Sequence, residues 1–176
     1  MRCIEVFNRF LPNAHVKSIF DIQPETLKAQ GIKGVITDLD NTLVAWDVKD
    51  ATPEVVRWFQ LMKDHDIKVT ILSNNNLERV KLFSDPLGTP YVYSARKPLK
   101  KAFKKVAKEM NLKREEMVVI GDQLLTDVLG GNSAGFATIL VVPIVQSDAK
   151  ITKFNRRIER MILNYLRKKG KISWEE

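Results

Sequence analysis

Gly34-Val35-Ile36-Thr37-Asp38-Leu39-Asp40-Asn41-Thr42 is a short β-branched run that breaks off into two carboxylates two residues apart. Its first five residues read as a strand, and the chain beyond repeats the scheme: short apolar stretches rich in β-branched residues alternate with helical patterns. That alternation is the signature of an α/β domain built on a parallel sheet. Ile67 to Leu72 predicts a second strand ending in Ser73-Asn74-Asn75-Asn76, Tyr91-Val92-Tyr93 a third, Met117 to Ile120 a fourth closed by Gly121-Asp122, and Ala137 to Val142 a fifth. Between them, a helix from Pro53 capped by Thr52 places Val55, Val56, Phe59 and Met62 inward. A second runs through Val80 and Phe83. A third, opened by Pro98, has apolar positions Leu99, Ala102, Phe103, Val106 and Met110. A fourth begins at Thr126 to Leu129 and weakens at Gly130 and Gly131.

The 176 residues fit a single domain, 1–176, with a core over about 32–145, a helical extension over 1–31 in which Val6, Phe7, Phe10 and Leu11 form a short apolar face, and a basic amphipathic helix over 150–171. A membrane span needs about 20 mostly apolar residues, and the longest apolar runs, Ala137 to Pro143 and Met117 to Ile120, are far shorter. The start, Met1-Arg2-Cys3-Ile4-Glu5, lacks the apolar stretch and cleavage site of a secretory signal, so the expectation is a cytoplasmic protein. Cys3 is the single cysteine and His15 and His65 the two histidines, which excludes an internal disulfide and a Cys/His zinc site. Any metal must be held by oxygen.

The net charge of +8 is carried by Lys150 to Lys171, where nine basic residues face one acidic residue. There Ile151, Phe154, Ile158, Met161, Ile162, Tyr165 and Leu166 recur at spacings of three and four, one apolar stripe on a helix. Two readings stand: a terminal helix packed on the core with solvated lysines, or a helix lying on anionic lipid or a phosphate-bearing polymer. Arg96, Lys100, Lys101, Lys104, Lys105 and Lys108 form a second basic series, either a solvated helix face or a steering field for an anionic substrate.

In open α/β sheets the ligand site lies beyond the carboxyl ends of the strands. Asp38 and Asp40, Ser73, Lys97, and Asp122 with Asp127 all fall at such ends, so four carboxylates and one ammonium are expected to converge. Asp38 and Asp40 point the same way along an extended chain, and crowded carboxylates raise one another's pKa unless a cation offsets them. Hard oxygen ligands select Mg²⁺, with one or two protein carboxylates plus the substrate phosphate around it. Taken singly, each of these residues passes for a turn, a cap or solvated surface. Jointly they do not.

Asp38-Leu39-Asp40-Asn41-Thr42-Leu43, Ser73, Lys97 and Gly121-Asp122 through Asp127 resemble, in order, the four motifs of the haloacid dehalogenase (HAD) superfamily. Order and spacing most resemble subclass IIIA, its YqeG-type branch, whose relatives include a mitochondrial phosphatidylglycerophosphate phosphatase. The resemblance covers residues 34 to 142 and implies a three-layer Rossmannoid parallel sheet flanked by helices. It implies that Asp38 is the nucleophile of a phosphatase and forms an aspartyl phosphate. By the same resemblance Asp40 is the general acid and base. Ser73, Lys97 and the backbone amide beside Asn74 bind the phosphoryl group. Mg²⁺ is held by the Asp38 carboxylate, the Asp40 carbonyl and Asp122, with Asp127 acting at one remove or through water.

Superfamily members that act on small metabolites often insert a cap domain after the first motif or between the second and third. Neither gap has room for one here, so a capless, open site is expected, suited to phosphate presented on a larger surface such as lipid, protein or nucleic acid. The leading expectation is a Mg²⁺-dependent phosphomonoesterase acting on phosphatidylglycerophosphate, with peripheral contact to an anionic membrane. A soluble nucleotide, sugar or protein phosphate is the alternative substrate. From another class, the chain reads as a nucleic-acid or ribosome-associated binding protein on the same fold. No RNA-binding motif or base-stacking aromatic series supports that last reading.

Overall fold

All four residues of Gly34–Thr37 and all five of Met117–Gly121 are buried, as strands at the middle of a sheet covered on both faces must be. The computed structural model describes residues 7–145 and 150–173, with 150–156 as backbone only. Its strands are β1 (Ala14–Val16), β2 (Gly34–Thr37), β3 (Lys68–Leu72), β4 (Tyr91–Val92), β5 (Met117–Gly121) and β6 (Ala137–Val141). They form one parallel sheet in the order β1-β6-β5-β2-β3-β4. The helices are α1 (Pro24–Ala29), α2 (Pro53–Asp64), α3 (Leu77–Ser84), α4 (Lys100–Met110), α5 (Leu129–Ala134) and α6 (Lys150–Lys168).

The pleat sorts the core into two layers. Val35, Val118 and Ile120 face Trp58, Met62 and Phe83 of α2 and α3, while Ile36, Met117 and Val119 face Phe103 and Val106 of α4 and Phe136. From β2 the chain builds outward through β3 and β4, then crosses back to β5 and β6. The order therefore reverses between β2 and β5, and the crevice at the carboxyl ends of those two strands is where an α/β sheet binds ligand. Residues 38–52 and 85–90 contain no further helix or strand beyond one bridge between Asp40 and Val44, so neither segment forms a cap over that crevice.

Several expectations are corrected. The segment 1–31 is not a helical extension alone: Ala14–Val16 adds an edge strand to β6, pinned by Asn13, whose amide donates to Thr138 O and whose Oδ1 accepts from Thr138 N, both at 2.8 Å. Three residues carry too little pattern to announce a strand; the free edge of β6 makes one. Val6 lies outside the described residues. Helix α2 is capped by Thr52 as expected, and Val55, Met62 and, half-buried, Phe59 face inward, but Trp58 takes the place expected of Val56, which sits about 100° around the axis from Val55 and is exposed. Helix α4 begins at Lys100, with Leu99 exposed at its cap position. Gly130 and Gly131 do not weaken their helix; it opens as a π-type turn over Leu124–Val128 and runs through both. Their missing side chains admit neighbours, since a Cβ would lie 2.6 Å from the Phe103 ring at Gly130 and 2.6 Å from Thr138 Cγ2 at Gly131.

The basic tail meets the core through the later part of its apolar stripe. Leu163 and Leu166 of α6, which ends at Lys168, are buried with Leu124, Val128 and Leu140, and Phe7 stacks at 4.5 Å on Tyr165. This part of the stripe is a core face, and the basic residues around it, Arg157, Arg160, Arg167 and Lys168, are exposed. The side chains of Ile151 and Phe154 lie outside the described residues. Among the described residues, no helix is long and apolar enough to cross a membrane. Leu166→Ala should therefore destabilise the fold by about 2–4 kcal/mol, read from the urea midpoint; a change within about 0.5 kcal/mol, the range of ordinary surface substitutions, would mean that the helix is not packed on the core.

Candidate active site

Backbone ladders place the first two motifs before any side chain acts. The Asp38 amide donates to Ile120 O at 2.9 Å and the Ser73 amide to Val92 O at 2.9 Å, so each residue continues its sheet register by one position beyond the strand. Past Asp38 the chain curls: Asn41 adopts φ 64°, its amide donates to Val44 O at 2.7 Å, and the Leu43 amide donates to Leu39 O at 3.0 Å. This turn separates the two aspartates.

Asp38 points inward. The Lys97 ammonium lies 2.8 Å from its Oδ1 and 2.6 Å from Asp127 Oδ1, with all three side chains under a tenth exposed. One oxygen from each of Asp38, Asp122 and Asp127 lies within 4.8 Å of the others, and Asp122 Oδ1 accepts from the Thr42 hydroxyl at 3.4 Å. Burial pushes the Asp38 carboxyl up to about 6; Lys97 opposes this and Asp127 adds to it. Burial alone would lower the Lys97 pKa, but Asp127 and Asp38 outweigh it and hold the ammonium above the ordinary lysine range. Three buried carboxylates carry more negative charge than Lys97 by itself offsets, and their donors are all hard oxygens. The residues thus fit a small divalent cation.

Asp40 does not join this group, so three carboxylates converge rather than four. Its Oδ1 accepts from Arg79 Nε at 3.1 Å and Nη2 at 2.9 Å, and its Oδ2 from Asn75 Nδ2 at 3.0 Å. Ser73 Oγ accepts the Asn75 amide at 3.0 Å, which leaves its own proton to donate. The Asn74 side chain is taken up by Lys97: its Oδ1 accepts from Lys97 N at 2.7 Å and its Nδ2 donates to Lys97 O at 3.2 Å. A role for Asn74 in holding phosphate therefore rests on its backbone amide, while its side chain fixes the loop that carries the ammonium.

Sequence reasoning missed three supports. Arg79 grips Asp40 from the first turn of α3, which starts straight after motif two and so faces the catalytic edge. Gly121 leaves room for Asp127, since a Cβ there would sit 2.3 Å from Asp127 Cγ. Glu159 of α6 is buried, and its Oε1 accepts the Leu125 amide at 3.0 Å, one of the amides that a helix start leaves without an internal partner. Two residues earlier, the Gln123 amide donates to Asp127 Oδ2 at 3.1 Å. A signal for Glu159 was present: it is the single acid in the basic tail and stands four and seven residues before Leu163 and Leu166, on the buried stripe.

The family model for haloacid dehalogenase-like hydrolases matches residues 5–135. The chain belongs to this family. It is 62% identical to "Probable phosphatase YqeG" of Bacillus subtilis (strain 168) over 167 residues, 95% of this chain and 97% of that one. It is 30% identical to phosphatidylglycerophosphate phosphatase 1, chloroplastic/mitochondrial, of Arabidopsis thaliana over 174 residues, 91% of this chain and 49% of the plant protein, about half of whose length it spans. Among solved structures, the cobalt-bound form of deoxy-D-mannose-octulosonate 8-phosphate phosphatase from Haemophilus influenzae shares the fold, with a TM-score of 0.56 at 22% identity over 78% of this chain and 90% of that one. The chain is an enzyme, a phosphatase of the HAD superfamily.

Removing the Glu159 carboxylate strands the partly buried Leu125 amide. Glu159→Ala should cost about 1–3 kcal/mol, and Glu159→Gln, which keeps a neutral acceptor, should recover most of it. Equal urea midpoints for the two variants would deny the contact its role.

Proposed function

We propose that the enzyme hydrolyses a phosphomonoester through an aspartyl phosphate on Asp38, with Asp40 as its acid and base. The observation that carries this reading is the Lys97 ammonium set between Asp38 and Asp127 at 2.8 and 2.6 Å. A fixed positive charge beside a buried carboxylate is what an anionic nucleophile needs to approach an anionic phosphoryl group. An Asp38 oxygen attacks phosphorus in line, the bond from phosphorus to the leaving oxygen breaks, and Asp40 gives that oxygen a proton. Asp40 then takes a proton from water as the water oxygen attacks phosphorus, which releases inorganic phosphate and restores Asp38. Ser73 donates its hydroxyl proton to a phosphoryl oxygen. Asp38, Asp122 and the Asp40 carbonyl would hold Mg²⁺, with Asp127 anchoring Lys97 beside it; a bound Mg²⁺ neutralises phosphoryl charge. Arg79 and Asn75 orient Asp40 at the partly exposed edge of the crevice, where leaving group and water enter.

The substrate is phosphatidylglycerophosphate. Supporting this are the 30% identity to the plant phosphatidylglycerophosphate phosphatase across 91% of the chain and the capless crevice, which admits a phosphate borne on a surface. Turnover of phosphatidylglycerophosphate should exceed that of a panel of nucleotide, sugar and protein phosphates. Preference for any member of that panel would overturn the substrate assignment but not the chemistry.

Asp38→Asn should lower turnover by about 10³-fold or more with an unchanged urea midpoint, and acid quenching should trap phosphate on Asp38 of the native enzyme. Near-normal rates in that variant, or a trapped label elsewhere, would remove the nucleophile. Asp40→Asn should lose less activity with an activated aryl leaving group than with an alkyl one. A chelator should abolish activity and added Mg²⁺ restore it.

A further inference from the structure

We propose that the rim of the crevice is a membrane-docking face, which seats on an anionic lipid bilayer with the catalytic opening toward the headgroups; this rests on the lipid-phosphate reading of the substrate. Among the described residues, twelve large apolar side chains are exposed, and eight of them lie where the chain leaves the carboxyl ends of the strands. Around the crevice these are Trp46 and Val48 after β2, Leu77 after β3, Tyr93 and Leu99 after β4, and Ile144 after β6, each 39–59% exposed. In a parallel sheet all these ends lie on one edge, so the side chains ring one opening. The loops are joined into a single surface: the Ile144 amide donates to Asn41 O at 3.1 Å, the Ser94 amide to Asn75 O at 2.8 Å, and Arg79 Nη1 to Lys49 O at 3.1 Å.

Exposed apolar side chains set singly among charges, with a tryptophan and a tyrosine among them, match the headgroup boundary, where amphipathic rings sit and lysine stems lie along apolar material. Charge favours an anionic partner. Between Asp85 and Glu109 stand seven basic residues and no acidic one. Of these, Arg96, Lys100 and Lys101 are exposed beside Tyr93 and Leu99, while Asp47 and Asp50 lie on the Trp46 side of the rim. The reacting carboxylate of Asp38 lies buried at the floor of the crevice, so a lipid-borne phosphate would have to enter through this ring. The apolar residues of α6 at 163 and 166 are committed to the core and so take no part in this contact.

The test is cosedimentation of the full chain with equimolar phosphatidylglycerol–phosphatidylcholine vesicles and with phosphatidylcholine alone. Binding is expected to the anionic vesicles and to weaken with salt. The triple variant Trp46→Ser, Leu99→Ser, Ile144→Ser should bind them about tenfold or more weakly while hydrolysing a soluble aryl phosphate at the native rate, which also shows that it is folded. In the native chain, brominated lipid should quench the part of the tryptophan emission that Trp46→Phe removes. Equal binding by the triple variant, or unquenched Trp46 emission, overturns the docking face. So does a native dimer that the triple variant dissociates, since a second copy would then cover the rim. Vesicle binding without hydrolysis of phosphatidylglycerophosphate would reject the substrate and leave the docking face standing. Hydrolysis of the detergent-solubilised lipid without vesicle binding would do the reverse.

Discussion

The Lys97 ammonium sits between Asp38 and Asp127, and the geometry of the catalytic edge depends on keeping it there. Buried carboxylates whose oxygens lie within 4.8 Å of one another repel in a medium that screens them poorly, so the cluster of Asp38, Asp122 and Asp127 depends on a positive charge held among them. Distant parts of the chain cooperate to place it. Asn74, after β3, grips the backbone of Lys97 on both sides, Gly121 at the end of β5 clears space for Asp127, and the Gln123 amide turns the other oxygen of Asp127 away from the lysine.

Two aspartates two residues apart are thereby given different surroundings. Asp38 is dry, raised by burial and opposed by Lys97; Asp40 is partly exposed and held by a guanidinium and an amide. The left-handed turn at Asn41 bends the chain between strand and loop and so separates a group suited to bond with phosphorus from one suited to exchange protons with the leaving group and water. This division comes from backbone geometry, since the two side chains are chemically identical.

The cationic tail changes meaning once packed. Its apolar stripe packs with Leu124, Val128 and Leu140 against the turn that carries Asp127, and its single acid accepts an amide of that turn. The tail supports the active site from behind. Its exposed lysines and arginines raise the positive field of the molecule.

Much of this was legible beforehand because it is local. The β-branched runs, the Thr52 cap, and the aspartate, serine, lysine and aspartate motifs at strand ends are short-range patterns, and they yielded the parallel α/β architecture and the residues that gather at its edge. Partners that meet only after folding were not legible. Arg79 is one basic residue among 29 until α3 brings it to Asp40, and Gly130 and Gly131 look like helix breakers until Phe103 and Thr138 fill the space they leave. The strand at Ala14–Val16 needs the free edge of β6 to exist at all. By itself, then, the sequence determined the fold class, the absence of an inserted cap and the residue types that gather at the candidate site, since periodicity and spacing act within a few residues along the chain. Only the tertiary structure decided which carboxylates share a charge, which face of the tail is buried and which apolar side chains ring the crevice, because those depend on contacts between segments far apart in sequence.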